Sequence, residues 1–220
     1  MKTEATNRPP VAVIDAGVGN LGNLFRALRH VGADPELTTD PATVERSTTI
    51  VLPGVGAFRP PRERMRGGLE RALRSALDSG AHLLGICIGY QLLFDSSTEF
   101  GTTDGLGLLP GRIDRLPESV ALPQIGWNRL VRRADHPLLS GIPDGENEGL
   151  FYFVHSYAPY DVPETVRLAE AVHGGAFVAV AGRGRVYGTQ FHPEKSGPNG
   201  LRLLRNFLDL AENRAAVCPN

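Results

Sequence analysis

The stretch His82-Leu83-Leu84-Gly85-Ile86-Cys87-Ile88-Gly89-Tyr90-Gln91-Leu92-Leu93-Phe94 constrains the fold more than any other. A short apolar run meets Gly-Ile-Cys-Ile-Gly and leaves with helical spacing, the pattern of a nucleophile elbow carrying cysteine in place of serine. Glycines two positions either side of the cysteine permit a sharp strand-to-helix turn, because a side chain at either would collide with neighbouring main chain. The reading implies an α/β sheet with the Cys87 thiol exposed at its rim. It also places the sulfur at the start of an amphipathic helix, whose unpaired N–H groups and dipole favour thiolate. Taken alone, the pentapeptide is equally compatible with a structural cysteine buried between packing glycines.

The flanking chain fits an α/β unit. Residues 10–15 read as a buried strand, followed by Ala16-Gly17-Val18-Gly19-Asn20 and a helix over 21–31. The glycine turn lacks the third glycine of a dinucleotide site, and no acidic residue closes a clear second strand at the usual distance. Strands are expected over 36–39 and 48–52, the latter ending in Pro53-Gly54-Val55-Gly56-Ala57-Phe58. That loop lies at the carboxyl edge of the sheet, where backbone N–H groups can meet a bound oxygen. A helix over 69–77 precedes the elbow strand, giving the order β-α-β-β-α-β-α and a mainly parallel sheet. Beyond a glycine-rich stretch over 95–111, strand candidates span 112–116, 124–132, 150–155, 166–171, 177–181 and 186–191. With no long helices between them, they are expected to pair antiparallel by hairpins and extend the sheet. A helix over 199–214 closes the chain.

Residues 10–214 therefore read as one domain, with 1–9 as a loosely held N-terminus and 215–220 as a tail. Lys and Arg number 23 against 24 Asp and Glu, so nucleic-acid or anionic-membrane binding has no electrostatic support. Cys87 and the tail residue Cys218 are expected to be free thiols in a reducing compartment. No apolar run approaches bilayer length, and residues 1–10 lack a signal-peptide centre, so a cytoplasmic location is expected.

A cysteine nucleophile needs a base, and histidine suits neutral pH. Of the six histidines, His30 ends a helix, His136 and His173 lie in turns, and His82 opens the elbow strand far from the nucleophile. His155 and His192 remain. His192 is the stronger because Pro193 holds it extended and Glu194, two residues on, shares its face and can orient the ring. Taken singly, His-Pro-Glu is more often an ordinary strand-end turn; its joint occurrence with the elbow shifts the balance.

Gly85-Ile86-Cys87-Ile88-Gly89-Tyr90-Gln91 with Gly188-Thr189-Gln190-Phe191-His192-Pro193-Glu194 resembles the class I (triad) glutamine amidotransferases. Gly17-Val18-Gly19-Asn20, Pro53 to Phe58, Pro123-Gln124-Ile125-Gly126-Trp127-Asn128, Phe153-Val154-His155-Ser156-Tyr157 and Lys195-Ser196 narrow the similarity to the glutaminase subunits of imidazole glycerol phosphate synthases. The resemblance runs over nearly the whole chain. It implies a three-layer, flavodoxin-like fold whose mainly parallel sheet is extended antiparallel in the C-terminal half.

It also implies hydrolysis of glutamine by Cys87, His192 and Glu194, without cofactor or metal. The oxyanion donors would be Ile88 and the Gly54-Val55-Gly56 loop, and Gln91, Glu99, Ser156 and Tyr157 match positions that hold glutamine. The implied partner is a (β/α)8-barrel cyclase subunit, forming a heterodimer. It takes the ammonia through a tunnel and makes imidazole glycerol phosphate and the aminoimidazole carboxamide ribotide in histidine biosynthesis. Asn20, Trp127 and Lys195 fall where the family meets that partner, although a lone tryptophan is also a common core residue.

The chain departs from the family with Ala16 where tyrosine is usual, and with Ile88 and Tyr90 where leucine and methionine are usual. Ala16 and Tyr90 leave a paralogue with another ammonia acceptor as the alternative. Three other classes fit less well. A dienelactone-type α/β-hydrolase places an aspartate between nucleophile and histidine and lacks His-Pro-Glu. A γ-glutamyl hydrolase would act on γ-linked peptides, and a non-catalytic module would have lost a triad member.

Overall fold

The computed structural model describes residues 10–17, 21–143 and 148–212. The N-terminal residues 1–9, Asn20 and the tail with Cys218 lie outside the described residues. The chain opens with β1 (Val11–Ile14), α1 (Leu21–His30), β2 (Pro35–Thr38), α2 (Pro41–Arg46), β3 (Thr49–Gly54), α3 (Arg59–Met65), α4 (Gly68–Asp78), β4 (His82–Cys87) and α5 (Ile88–Gln91). Two of these helices, α2 and α3, lie in stretches to which the sequence pattern assigns no helix. The Asp40 carboxylate caps α2 by accepting from the N–H groups of Ala42 and Thr43, a device that contributes about 1 kcal/mol. Prolines sit in the first turn of both α2 and α3, where a missing N–H costs nothing.

The second half supplies β5 (Ser96–Ser97), β6 (Thr103–Asp104), β7 (Arg112–Arg115), β8 (Gln124–Arg129), β9 (Val131–Arg132), β10 (Leu150–His155), β11 (Tyr157–Tyr160), β12 (Arg167–Val172), β13 (Ala176–Arg183), β14 (Val186–Thr189) and α6 (Gly197–Glu212). The main sheet has the order β2-β1-β3-β4-β14-β13-β12-β9. Its pairs are parallel from β2 through β14 and antiparallel from β14 to β9. The C-terminal half thus extends the sheet as expected, with a correction at its centre. β14 pairs antiparallel with β13 across the two-residue turn Gly184-Arg185, yet lies parallel to β4 on its other edge. Nor do all the strands join the main sheet. β8 pairs with β10 as a separate ribbon, and β11-β7-β5-β6 form a small sheet of their own. The single strand expected over 124–132 breaks at Leu130, and its two pieces, β8 and β9, serve different sheets.

One apolar core runs through the described residues, and β4 is buried along its whole length, as a central parallel strand must be. The helices gather in two sets, α1 with α6 and α2 and α3 with α4. They form the outer layers of the three-layer arrangement. Among the described residues no helix is long and apolar enough to cross a membrane.

Candidate active site

Register brings the expected residues together. Gly54 at the end of β3 stands opposite Cys87 at the end of β4. On the other side Thr189 of β14 stands opposite Ile86, so the chain reaches His192 just beyond the same edge. Three adjacent parallel strands therefore end with the glycine loop, the thiol and the imidazole side by side.

The elbow is strained as its sequence demands. Cys87 has φ 55° and ψ −110°, a conformation that costs a residue with a Cβ of order 1–3 kcal/mol. A Cβ on Gly89 would overlap the Leu52 carbonyl, and one on Gly85 would stand 2.7 Å from the Tyr90 Cα. Two details differ from expectation. The helix after the cysteine is a single turn, α5, buried on all sides, so the dipole of a long helix is replaced by a few local N–H groups. The thiol is not exposed either: Cys87 is 3% accessible, and the cavity it lines is walled by Pro123, by Val154 and His155 at the end of β10, and by Ser156 and Tyr157. Its access is through a cavity of about 460 Å³.

That cavity gathers most of the expected site. Cys87, His192 and Ile88 line it together with Val55, Gly56, Gln91, Glu99, Ser156, Tyr157 and Lys195. Gly54 lies behind, in a small space shared with His192 and Glu194. Glu194 does not reach the cavity but supports the imidazole from the rear, its Oε1 2.7 Å from His192 Nδ1. The route differs from an extended strand. His192 is extended, but residues 193–195 form a 3₁₀ turn that swings the carboxylate under the ring. Ser196 locks this turn, donating to the His192 carbonyl at 2.6 Å and accepting from the Tyr152 N–H at 2.9 Å.

The electrostatics separate the two histidines. Burial works against a charged His192, yet the charge and hydrogen bonding of Cys87, together with Glu194, outweigh it and push the ring from 6.5 up to about 10. Among the described residues no group meets Nε2 in full hydrogen-bond geometry; Cys87 is nonetheless close enough to govern its proton affinity. His155, the weaker candidate from sequence, is pulled down to about 4, chiefly by burial. It is therefore neutral at neutral pH, with Nδ1–H donated to the Tyr157 carbonyl at 2.9 Å. Burial raises the Glu99 carboxyl, opposed by the Phe58 N–H, which donates to Oε2 at 2.6 Å.

At the rim, Lys195 Nζ sits 5.6 Å from the Tyr152 ring centre, and that ring meets Trp127 edge-on at 6.1 Å. Trp127 is 56% exposed, so it is not a core aromatic. Tyr90, by contrast, is a core residue. Its ring fills the space left by the absent side chain of Gly188, and its hydroxyl donates to the Val178 carbonyl at 3.3 Å. Pro123, Val154 and His155 line the cavity outside the expected set, though they belong to stretches that carry the resemblance. Gln190, buried beside Cys87, had no periodicity or spacing to announce it.

Comparison with known proteins agrees with this geometry. The family described as "Glutamine amidotransferase class-I" matches residues 12–211. The chain is 44% identical over 198 residues to "Imidazole glycerol phosphate synthase subunit HisH" of Symbiobacterium thermophilum, covering 90% of this chain and 92% of that protein. It is 46% identical over 208 residues to the protein of the same name from Halobacterium salinarum, covering 90% and 92%. Among solved structures, PurLQS from Thermotoga maritima superposes with a TM-score of 0.71 at 18% identity, covering 92% of this chain and 99% of that one, a likeness of fold. A cysteine elbow between a glycine loop and a His-Pro-Glu turn, in a sequence matched from residue 12 to residue 211, leaves one assignment: the chain belongs to the class I glutamine amidotransferases.

Proposed function

We propose that this chain is the glutaminase subunit of an imidazole glycerol phosphate synthase, hydrolysing glutamine to glutamate and supplying the ammonia to a (β/α)8-barrel cyclase subunit. The observation that carries the chemistry is the pairing of a strained Cys87 with a buried His192 that is held from behind by Glu194. The relatives named above, similar over nine-tenths of the chain, support the place in that synthase.

In the proposed reaction the Cys87 thiolate attacks the side-chain amide carbon of glutamine, and the carbonyl π electrons move onto oxygen. The Ile88 N–H and an N–H of the Gly54-Val55-Gly56 loop meet that oxyanion; each such donor is worth about a hundredfold or more in rate. His192, protonated at neutral pH by virtue of its raised affinity, gives its proton to the departing nitrogen, so ammonia leaves neutral. The ring then takes a proton from water as that water attacks the γ-glutamyl thioester, and glutamate departs. Gln91, Glu99, Ser156 and Tyr157 hold the substrate. Lys195, which lines the cavity, and the exposed Trp127, which shares the Tyr152 ring with it, form the face toward the barrel, and Asn20 is assigned to the same contact from sequence alone. Residues 10–214 act as one domain.

The test is a coupled assay. The purified chain alone should hydrolyse glutamine slowly, and the barrel subunit with its phosphoribosyl ligand should raise the rate strongly while consuming the ammonia. Equal rates with and without the partner would overturn the coupled reading, and stimulation without ammonia transfer would point to a different acceptor.

A further inference from the structure

Gln190 is wholly buried, and neither the elbow nor the His-Pro-Glu turn accounts for its presence beside the thiol. Both ends of its amide are committed. Oε1 accepts from Gln91 Nε2 at 3.0 Å, and Nε2 points its hydrogen at Cys87 Sγ from 3.9 Å. Gln91 Nε2 also donates to the Tyr157 carbonyl at 2.9 Å. An amide nitrogen carries two hydrogens, so both are used. Rotating the Gln91 amide by half a turn would aim its oxygen at two acceptors, which excludes that orientation. The Gln91 Oε1 is therefore left without a partner among the described residues, on a side chain that lines the cavity.

We propose that Gln190 is a positioning residue for this site. Through Oε1 it fixes the amide of Gln91 so that a bare acceptor is available to the substrate; through Nε2 it steadies the sulfur of Cys87. The proposal rests on the glutaminase reading and names what orients one of its acceptors. An acceptor fixed in this way favours a substrate group that brings N–H hydrogens and disfavours one that brings only carboxylate oxygens.

Two variants separate the two ends of the amide. Gln190→Glu keeps an acceptor toward Gln91 but turns the donor facing sulfur into a carboxylate. Gln190→Leu removes both ends without adding charge, and it still reports if burial of the new carboxylate prevents folding. Two readouts are taken: the rate of Cys87 alkylation by iodoacetamide in the isolated chain, and KM and kcat for glutamine in the complete complex with the barrel subunit. Thermal melts accompany both.

Gln190→Glu is expected to be alkylated about tenfold or more slowly with KM within about threefold of wild type, and Gln190→Leu to raise KM about tenfold and to slow alkylation, magnitudes that follow from losing one hydrogen bond at a charged or neutral partner. Wild-type alkylation in either variant, wild-type KM in Gln190→Leu, or an equal rise of KM in both would overturn the proposal. A wild-type complex that hydrolyses no glutamine would instead remove the glutaminase reading, while alkylation of the isolated chain would still decide the role of Gln190.

Discussion

His192 Nδ1 lies 2.7 Å from Glu194 Oε1, joined across one proline by a turn whose backbone Ser196 pins to Tyr152. The contact does two things at once. It sets which ring nitrogen faces Cys87, and its negative charge helps hold the proton on a ring that burial alone would strip.

Removing that charge gives the first prediction. Burial lowers the His192 proton affinity, whereas Cys87 and Glu194 raise it to about 10. Glu194→Gln deletes one of the raising contributions, so the affinity falls. The imidazolium that delivers a proton to ammonia is then lost at lower pH. The alkaline limb of kcat against pH is expected to move down, with kcat at neutral pH reduced by roughly a hundredfold or more, as for other carboxylates that orient a catalytic imidazole. A pH–rate profile of the complex with the barrel subunit checks both; an unmoved alkaline limb would mean that Glu194 does not act on the ring.

The strained elbow gives the second. At φ 55° and ψ −110°, Cys87 sits where glycine is at ease and alanine is not. Both Cys87→Ala and Cys87→Gly should be inactive. Cys87→Gly should be the more stable by about 1 kcal/mol, the strain relieved less glycine's extra entropy. Denaturant unfolding of the two variants measures the difference. Greater stability in the alanine variant would show that the elbow is not under strain.

Tyr90 supplies the third. Its ring occupies the gap at Gly188, so this departure from the family is a packing solution in the core. Tyr90→Met, restoring the family's usual residue, should lower stability by about 1–2 kcal/mol through incomplete filling and loss of the hydroxyl contact, with kcat within about threefold of wild type. A large kcat loss at unchanged stability would assign Tyr90 to the chemistry instead.

Trp127 supplies the fourth. With more than half its surface exposed beside Tyr152 and Lys195, it has little to contribute to folding of the chain alone. Trp127→Ala should leave stability within about 0.5 kcal/mol. Affinity for the barrel subunit should fall about thirtyfold, the cost of about 2 kcal/mol that a tryptophan anchor commonly carries. Titration calorimetry and a thermal melt distinguish this from a residue that supports the fold.

Much of this was legible in the chain because the site sits where backbone geometry is most constrained. Gly85 and Gly89 are required by the approach of Tyr90 and Leu52, and so the elbow announces itself locally. Pro193 keeps His192 extended and fixes the start of the turn that carries Glu194. The missed features depend on partners distant in sequence. Whether β14 returned to the middle of the sheet was decided by its pairing with β4, about a hundred residues earlier, and no local pattern encodes that. The cavity wall over Cys87 includes Val154 and His155 of β10, and the alternation of that strand does not encode which site it faces. Asp40 and Pro41 begin α2, but its six residues bury only Thr43 and Val44, too few for a helical period to register. Gln190 belongs to the same class: its meaning lies in Gln91 and Cys87, far upstream.

The central claim is that Cys87 carries the γ-glutamyl group during turnover, and intermediate trapping tests it most directly. The complex with the barrel subunit is quenched in acid during glutamine hydrolysis and its peptides are read by mass spectrometry. One γ-glutamyl group is predicted on the peptide containing Cys87, and none after Cys87→Ala. Undiminished glutamine hydrolysis by Cys87→Ala, or the group found on any other residue, would contradict it.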